Sequence, residues 1–267
     1  MANDASAPGA ARFEGRSVLV TGGGSGIGMA IAAGFAEEGA RVAISGRDPE
    51  RLKQAVTLLG RRGATVSPFR MDVRDRSSAE SCADSVAAEL GGIDVLVNNA
   101  GVSGQTPIAS DFDEKLREIV ETNLLGLFFV TRAALRHMKD GHGRIINIAS
   151  VLAKFGVPGY TAYCAAKHGV IGFTKALALE LAPRRITVNA ICPGWVDTAM
   201  ARQGIRETAA ATGVTPEEFK KGAESRVPLG RFMEPAELAP LTLHIASAEA
   251  AMMTGQSINL DGGQAMW

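Results

Sequence analysis

The two tyrosines of the chain lie three positions apart, and a lysine follows the second tyrosine one helical turn later. The stretch GYTAYCAAKHG, residues 159–169, contains Tyr160, Tyr163 and Lys167. Residues four positions apart share a face of a helix, so we expect Tyr163 and Lys167 to lie side by side. A free phenol has a pKa of about 10, and a neighbouring ammonium lowers it. The pair therefore predicts a general acid/base, whereas Tyr160 is expected to pack or to line the pocket.

Polar residues also stand where such a phenol needs partners. The apolar run RIINIAS ends at Ser150, and a hydroxyl at the carboxyl end of a strand can hydrogen-bond a substrate oxygen. The run NNAG, 98–101, ends another predicted strand at the same edge. Asn123 lies in the apolar helical stretch ETNLLG, where an amide without a function is costly. We expect these segments to meet around Tyr163.

A glycine-rich turn follows the first apolar run and leads directly into a helical pattern. The turn reads TGGGSGIG, residues 21–28, and its spacing is GxxxGxG, which differs from the commoner GxGxxG fingerprint. Glycines allow the backbone to approach a diphosphate, whose charge the helix N-terminus favours. The residues predicted to bind this part of a dinucleotide are Gly22, Gly24, Ser25, Gly26, Ile27 and Gly28.

The end of the second predicted strand bears on the choice of cofactor. An acidic residue at this place binds the ribose 2′-hydroxyl of NAD, but this chain has Gly46 followed by Arg47. An arginine fork suits a 2′-phosphate, so we predict NADP(H) as the cofactor. NAD(H) stays open as the alternative, because Asp48 could face the ribose.

The elements that position these residues alternate along the chain. Short apolar runs, such as SVLVT at 17–21 and DVLVN at 94–98, are separated by longer segments of helical period. Strands that are apolar throughout are buried on both faces, and intervening helices imply a parallel sheet. We predict an α/β fold with a doubly wound, Rossmann-like parallel sheet. The polar stretch at about 197–230 is expected to form a helical lid over the substrate.

Composition limits the classes of protein that fit. The 267 residues include 28 basic and 28 acidic side chains, so net charge gives no argument for nucleic acid or for an anionic membrane. The three cysteines and four histidines show no metal-ligand or disulfide spacing, and we predict no metal. Neither a signal peptide nor a long apolar segment is visible, so a cytoplasmic location is expected. We expect residues 1–13 to be a disordered tail and 14–267 to form one domain.

These motifs together resemble the short-chain dehydrogenase/reductase family over about residues 14–263. The resemblance rests on TGGGSGIG, the MDV at 71–73, NNAG, Asn123, Ser150, YCAAK, the PGWVDT at 193–198 and the DGG at 261–263. Within the family, the chain is most similar to 3-oxoacyl-(acyl-carrier-protein) reductases and type II polyketide ketoreductases.

The resemblance implies a role for each matched residue. Tyr163 is the acid/base, Lys167 lowers its pKa and binds the nicotinamide ribose, and Ser150 orients the carbonyl. Asn123 holds a water that links Lys167 to solvent. The other residues implied to contact the cofactor are Asp72, Val73, Asn99, Gly101, Val196 and Thr198. Many NADP-dependent relatives carry a basic residue in the glycine loop, where this chain has Ser25.

The resemblance also implies an activity and partners. We expect hydride transfer between nicotinamide and a ketone or secondary alcohol, with a 3-oxoacyl thioester or polyketide-type ketone as the substrate. An acyl carrier protein is a candidate partner, and the assembly is expected to be a homotetramer, with Trp267 against a neighbouring subunit. One alternative is an alcohol dehydrogenase that acts on a free secondary alcohol. A second alternative is a family member without catalytic activity, which the intact Asn–Ser–Tyr–Lys set disfavours.

Overall fold

The fold is one seven-stranded, fully parallel sheet with helices on both faces. We describe a computed structural model over residues 11–61 and 63–266. The strands lie in the order β3-β2-β1-β4-β5-β6-β7, and each adjacent pair is parallel. Their bounds are β1 Ser17–Thr21, β2 Arg41–Gly46, β3 Val66–Arg70, β4 Val95–Asn98, β5 Arg144–Ile148, β6 Thr187–Pro193 and β7 Ser257–Leu260. The predicted doubly wound α/β class is confirmed.

Helices connect the strands and cover both faces of the sheet. The bounds are α1 Gly26–Glu37, α2 Pro49–Gly60, α3 Arg76–Leu90, α4 Asp113–Val120, α5 Gly126–Leu135, α6 Thr161–Leu181, α7 Ala199–Thr212, α8 Pro216–Glu224 and α9 Ala239–Ala246. A π-helical turn, Glu121–Leu125, joins α4 to α5. The segment predicted to be a lid thus contains α7 and α8, and α8 begins with the capping box that the sequence indicates at Thr215 and Glu218.

The strands are apolar because both of their faces are covered. In β1, Val18 and Val20 face a core layer that includes residues of α1, α2 and α9. Leu19, between them, faces the opposite layer, which contains residues of α3, α5 and α6. Since alternate side chains of a strand point to opposite faces, a strand between two helical layers must be apolar at every position.

The ordered chain begins earlier than we predicted. Phe13, which the sequence placed in a disordered tail, is buried and stacks edge-on against Phe35 of α1 with ring centroids 4.9 Å apart. Arg12 pairs with Glu38 at 3.0 Å. The boundary at residue 14 is therefore wrong, because one aromatic side chain fills the end of the α1 layer. The predicted tail over residues 1–10, and the contact predicted for Trp267, lie outside the described residues.

A buried chain of amide and hydroxyl groups joins the sheet to the helices that flank the site. Asn98 Nδ2 of β4 donates to Thr131 Oγ1 of α5 and to Asn147 Oδ1 of β5, both at 2.9 Å. Asn147 Nδ2 in turn donates to Thr174 Oγ1 of α6 at 2.9 Å. Because all four side chains are buried, these hydrogen bonds fix the register of α5 and α6 against the strands.

We expect Asn147→Leu to lower the free energy of unfolding by about 2–4 kcal/mol, because one buried N–H of Asn98 and one acceptor position of the Thr174 hydroxyl each lose a hydrogen bond. Chemical denaturation of the purified protein measures this. The control is Gln54→Leu on the exposed face of α2, which should change the free energy by less than about 0.5 kcal/mol. Equal losses of unfolding free energy in the two variants would contradict a stabilising role for this buried hydrogen-bonded chain.

Candidate active site

The predicted catalytic side chains converge at the carboxyl end of β5. Ser150 follows β5 by two residues, and its Oγ accepts a hydrogen bond from Leu152 N at 3.1 Å, which caps a short 3-10 turn. Lys167 of α6 is buried, and its Nζ donates to Ile148 O at 2.8 Å. The same Nζ lies 5.7 Å from the centre of the Tyr163 ring. The structure therefore brings Ser150, Tyr163 and Lys167 together, as the sequence predicted.

Burial sets the electrostatics of this group and overturns one prediction. Burial raises the pKa of Tyr163 to about 12, although a hydrogen bond with Ser150 opposes the rise. Burial lowers the pKa of Lys167 to about 8. The expected lowering of the Tyr163 pKa is wrong for the protein alone, because the loss of solvent favours the neutral form of both groups. In addition, the Lys167 ammonium is bound to the Ile148 carbonyl.

Asn123 lies in the π-helical turn, a geometry that is rare and frequent at functional sites. Its Oδ1 accepts from Val102 N, and its Nδ2 donates to Val102 O, both at 2.8 Å. A Cβ on Gly101 would stand 3.1 Å from Asn123 Oδ1, so the glycine lets this contact form. The side chain thus holds the loop after β4 against the helix. The water predicted for Asn123 stays a prediction.

The glycine loop has the properties of a diphosphate site. Ser25 is the N-cap of α1 but makes no side-chain bond to the helix, so donors of the first turn stay available to an anion. A Cβ on Gly28 would lie 2.4 Å from both Asn99 Nδ2 and Gly22 O, so only glycine fits there. Gly22 itself has a φ of 65°, in the region that favours glycine.

Asn99 supports this loop from the sheet. Its Nδ2 donates to Thr21 O at 2.9 Å and to Gly22 O at 3.2 Å, which ties the end of β4 to the start of the loop. The sequence placed Asn99 along the cofactor channel. The structure shows that its amide is bonded to the backbone of the loop.

The remaining predicted cofactor residues surround the same cleft. Thr198 lies across from the loop, since its Cγ2 would be 3.3 Å from a Cβ on Gly26. Val196 is buried and forms an isolated β-bridge with Met233. Val73 contacts the start of α5, where Gly126 leaves room for it. These positions fit a dinucleotide that runs along the carboxyl edge of the sheet.

An open groove of about 640 Å³ lies at the carboxyl ends of β2 and β3. It is lined by Arg47, Arg70, Asp72, Asp75, Ser77, Ser78 and Ser81. The two carboxylates are engaged locally. Asp72 is bonded to Arg74 at 2.7 Å, a contact that lowers the pKa of Asp72, and Asp75 accepts from the backbone at the start of α3. Because Arg74 compensates Asp72, the two arginines Arg47 and Arg70 outweigh the one remaining carboxylate of the groove, Asp75.

Arg70 is the residue that the sequence analysis missed. In the pairing of β2 with β3, Arg70 lies opposite Gly46, the residue before Arg47. The two arginines are 23 positions apart in the sequence, so only the strand register shows that their guanidinium groups share one groove. The available signal was an arginine at the end of the run TVSPFR, in which Pro68 is typical of an edge strand.

A nucleotide loop, a half-buried tyrosine beside a buried lysine, and a strand-end serine on one sheet edge define a dehydrogenase/reductase of the short-chain type. A family model described as enoyl-(acyl carrier protein) reductase matches residues 22–265. The chain therefore belongs to the short-chain dehydrogenase/reductase family, and it is an oxidoreductase.

Named relatives cover nearly the whole chain. The chain is 42% identical to a putative ketoacyl reductase of Streptomyces coelicolor over 92% of its length and 95% of the relative. It is 40% identical to the 3-oxoacyl-(acyl-carrier-protein) reductase FabG of Thermotoga maritima over 94% of its length and 98% of the relative. A crystal structure of an actinorhodin polyketide ketoreductase variant with NADPH has a TM-score of 0.90 at 42% identity, and covers 94% of this chain and 98% of its own.

We expect Tyr163→Phe to lower turnover by about 10²- to 10⁴-fold, the usual contribution of a general acid. The ring keeps its place in the apolar cluster with Ile119 and Ala166, so the fold and the dinucleotide affinity should change little. Absorbance at 340 nm measures turnover, and titration of the cofactor fluorescence measures binding. Near-normal turnover in this variant would remove Tyr163 from the chemistry.

The matched control is the second phenol of the chain. Tyr160→Phe removes a hydroxyl three residues earlier on the same segment, and its kcat should stay within about threefold of the parent value because the proton transfer assigned to Tyr163 is intact. A loss in Tyr160→Phe as large as that in Tyr163→Phe would show that the effect is not specific to the acid.

Proposed function

We propose that this protein is an NADP(H)-dependent ketone reductase whose substrate is a 3-oxoacyl thioester or a polyketide-type ketone. The observation that carries the proposal is the convergence of Ser150, Tyr163 and Lys167 at the carboxyl end of β5. Relatives named as ketoacyl reductases and as a 3-oxoacyl-(acyl-carrier-protein) reductase support the substrate class. A related ketoreductase solved with NADPH supports the cofactor.

From this geometry we infer a step for each of the three residues. When NADPH is bound, it supplies the hydride that the carbonyl carbon of the substrate receives. Ser150 Oγ orients the carbonyl oxygen by a hydrogen bond. Tyr163 then gives its proton to that oxygen, and the nearby Lys167 ammonium stabilises the phenolate that remains. The raised pKa of Tyr163 keeps the phenol protonated at neutral pH, as a proton donor requires.

The preference for NADP(H) rests on Arg47 and Arg70. A 2′-phosphate adds a dianion to the ribose, and two guanidinium groups in one groove can bind it in a charge-assisted way. Asp72 would repel that dianion, but Arg74 already compensates its charge. The glycine loop has no basic residue, so this pair is the proposed source of the discrimination.

We expect Arg47→Ala and Arg70→Ala each to raise the Kd for NADPH by roughly tenfold, since one hydrogen bond to a charged group is lost. The Kd for NADH should change by less than about twofold, because NADH has no 2′-phosphate. Fluorescence titration with both cofactors measures this, and Arg61→Ala beyond the end of α2 is the control. Equal weakening of NADH and NADPH would contradict the assignment.

The pH dependence of reduction follows from the direction of the two pKa shifts. Burial lowers the pKa of Lys167 to about 8 and raises that of Tyr163 to about 12, so both groups are protonated below pH 8. We expect kcat/KM for ketone reduction to fall as the pH rises through about 8, because Lys167 then loses the charge that stabilises the phenolate. Initial rates at 340 nm across a pH series measure this.

Lys167→Arg is the matched variant for the pH series. A guanidinium stays charged over the whole range, so the residual activity of this variant should lose the decline that begins near pH 8. A decline at the same pH in both proteins would assign it to another group.

The substrate class is tested by a panel of ketones and alcohols in the same absorbance assay. We expect NADPH oxidation with acetoacetyl-CoA, a soluble 3-oxoacyl thioester, and with bicyclic ketones. Activity confined to NAD and free secondary alcohols, such as 3-hydroxy acids, would replace the proposal with the alternative dehydrogenase. Absence of turnover with every substrate would favour a silent binding member of the family.

The partners of the protein stay predictions. An acyl carrier protein is the proposed carrier of the thioester, and a homotetramer is the proposed assembly, to be measured by light scattering. Among the described residues, no helix is both long and apolar enough to cross a membrane. The cytoplasmic location stays a prediction as well.

A further inference from the structure

The hydroxyl of Thr208 joins three segments of the chain that are far apart in sequence. Thr208 lies on α7, in the segment predicted to be a lid. Its Oγ1 accepts a hydrogen bond from Gln105 Nε2, in the loop after β4, at 3.1 Å. It lies 3.0 Å from Tyr160 Oη, at the N-cap of the catalytic helix α6. We call Gln105, Tyr160 and Thr208 the lid latch.

The hydrogen bonds of the latch use the full capacity of the Thr208 hydroxyl. A hydroxyl has one donor and two acceptor positions. Its proton goes to Gly204 O of its own helix, at 2.8 Å. Both acceptor positions are then left for Gln105 and Tyr160, which assigns the Tyr160 hydroxyl as the donor. Tyr160 can bond to this oxygen only while α7 is seated.

The latch is the polar attachment of α7 to the catalytic half of the molecule. Within residues 11–61 and 63–266, both side-chain hydrogen bonds that join α7 to the β4 loop and to α6 end at Thr208 Oγ1. One turn earlier on α7, Ile205 makes apolar contacts in a cluster that also contains Phe219 and Phe232. Thus α7 is held by apolar contacts at Ile205 and by polar contacts that meet at one atom, Thr208 Oγ1.

The position of α7 places it across the cleft. Its N-cap, Thr198, faces Gly26 of the glycine loop, and Thr208, ten residues later, contacts the start of α6. Ten helical residues span roughly 15 Å, so α7 crosses from the cofactor loop to the catalytic helix.

The other two partners are held on a rigid base. Thr106, next to Gln105, donates its backbone N–H to Gly159 O at 2.7 Å and accepts from Ala162 N through its side chain at 3.1 Å. The loop after β4 and the start of α6 therefore form one unit. Thr208 of α7 bonds to both parts of this unit.

We propose that the lid latch is a set of positioning residues that seats α7 over the bound ketone, so that substrate affinity depends on the Thr208 hydroxyl while proton transfer does not. The kinetic part of this inference rests on the proposed function. The inference goes beyond the catalytic group, because none of the three latch residues takes part in hydride or proton transfer.

The kinetic test compares three variants of one helix. Thr208→Val keeps the shape of the side chain and removes the hydroxyl. We expect it to raise KM for a reducible ketone by about fivefold or more, the effect of one or two lost hydrogen bonds, with kcat within about twofold. Thr208→Ser restores the hydroxyl and should restore KM. Thr212→Val is the control, because the Thr212 hydroxyl bonds only to carbonyls of α7 itself.

A second measurement tests the latch without any substrate. Hydrogen exchange followed by mass spectrometry should show faster exchange in residues 199–212 of Thr208→Val, with unchanged exchange in α1 and β1. Tyr160→Phe should have the same effect. The increase in exchange in the double variant should not exceed the sum of the increases in the two single variants. Because all three latch side chains are partly exposed, water can hydrate the freed groups and the variants should fold.

The outcomes separate the two proposals. Faster exchange in α7 without turnover of any ketone would support the latch and reject the proposed function. Unchanged exchange in Thr208→Val, or an equal change in Thr212→Val, would reject the latch whatever the substrate is. A fall in kcat at constant KM would also reject it, because the hydroxyl would then act on the chemical step.

Discussion

The hydrogen bond from the Lys167 ammonium to the Ile148 carbonyl is the contact on which the arrangement of the site depends. It joins α6 to the last residue of β5, and Ser150 follows that strand by two positions. Tyr163, one turn before Lys167, is therefore placed over the serine by the same contact. A buried ammonium needs such a partner, because its transfer from water is costly. A neutral carbonyl meets this need only in part, which is why the pKa of Lys167 falls to about 8.

The sheet topology explains why the cofactor loop and the catalytic group meet. Every strand of the sheet is parallel, so the loops after β1, β4, β5 and β6 all leave at one edge. Tight packing then fixes their distances. Gly28 leaves room for the Asn99 amide, which ties β4 to the glycine loop, and the chain from Asn98 through Asn147 to Thr174 ties β5 to α6. Close backbone packing at Gly28 and the buried amides therefore hold the glycine loop and the catalytic group at fixed positions.

The sequence was informative where a residue type has one physical use at its position. Apolar runs between helical segments predicted the parallel sheet, and the spacing of Tyr163 and Lys167 on one helix predicted their contact. Properties that depend on distant parts of the chain were not predictable. The register of β2 and β3 places Arg70 near Arg47, and the packing of Phe13 on Phe35 extends the domain. The hydrogen bond of Tyr160 with Thr208 likewise joins residues that no local pattern connects.

The direction of the Tyr163 pKa shift shows what spacing alone leaves out. Two groups one turn apart suggest that the charge of Lys167 lowers the pKa of the phenol, but that argument assumes a solvated pair. Burial penalises the phenolate and the ammonium alike, so in the protein alone Tyr163 is a neutral phenol at neutral pH, while Lys167 keeps its charge only below a pKa of about 8. A neutral phenol is the state that donates a proton to a carbonyl. In the proposed reverse reaction, Tyr163 would act as a base in its phenolate form, which a nearby positive charge such as the Lys167 ammonium would stabilise. The same side chain would then serve as acid in reduction and as base in oxidation.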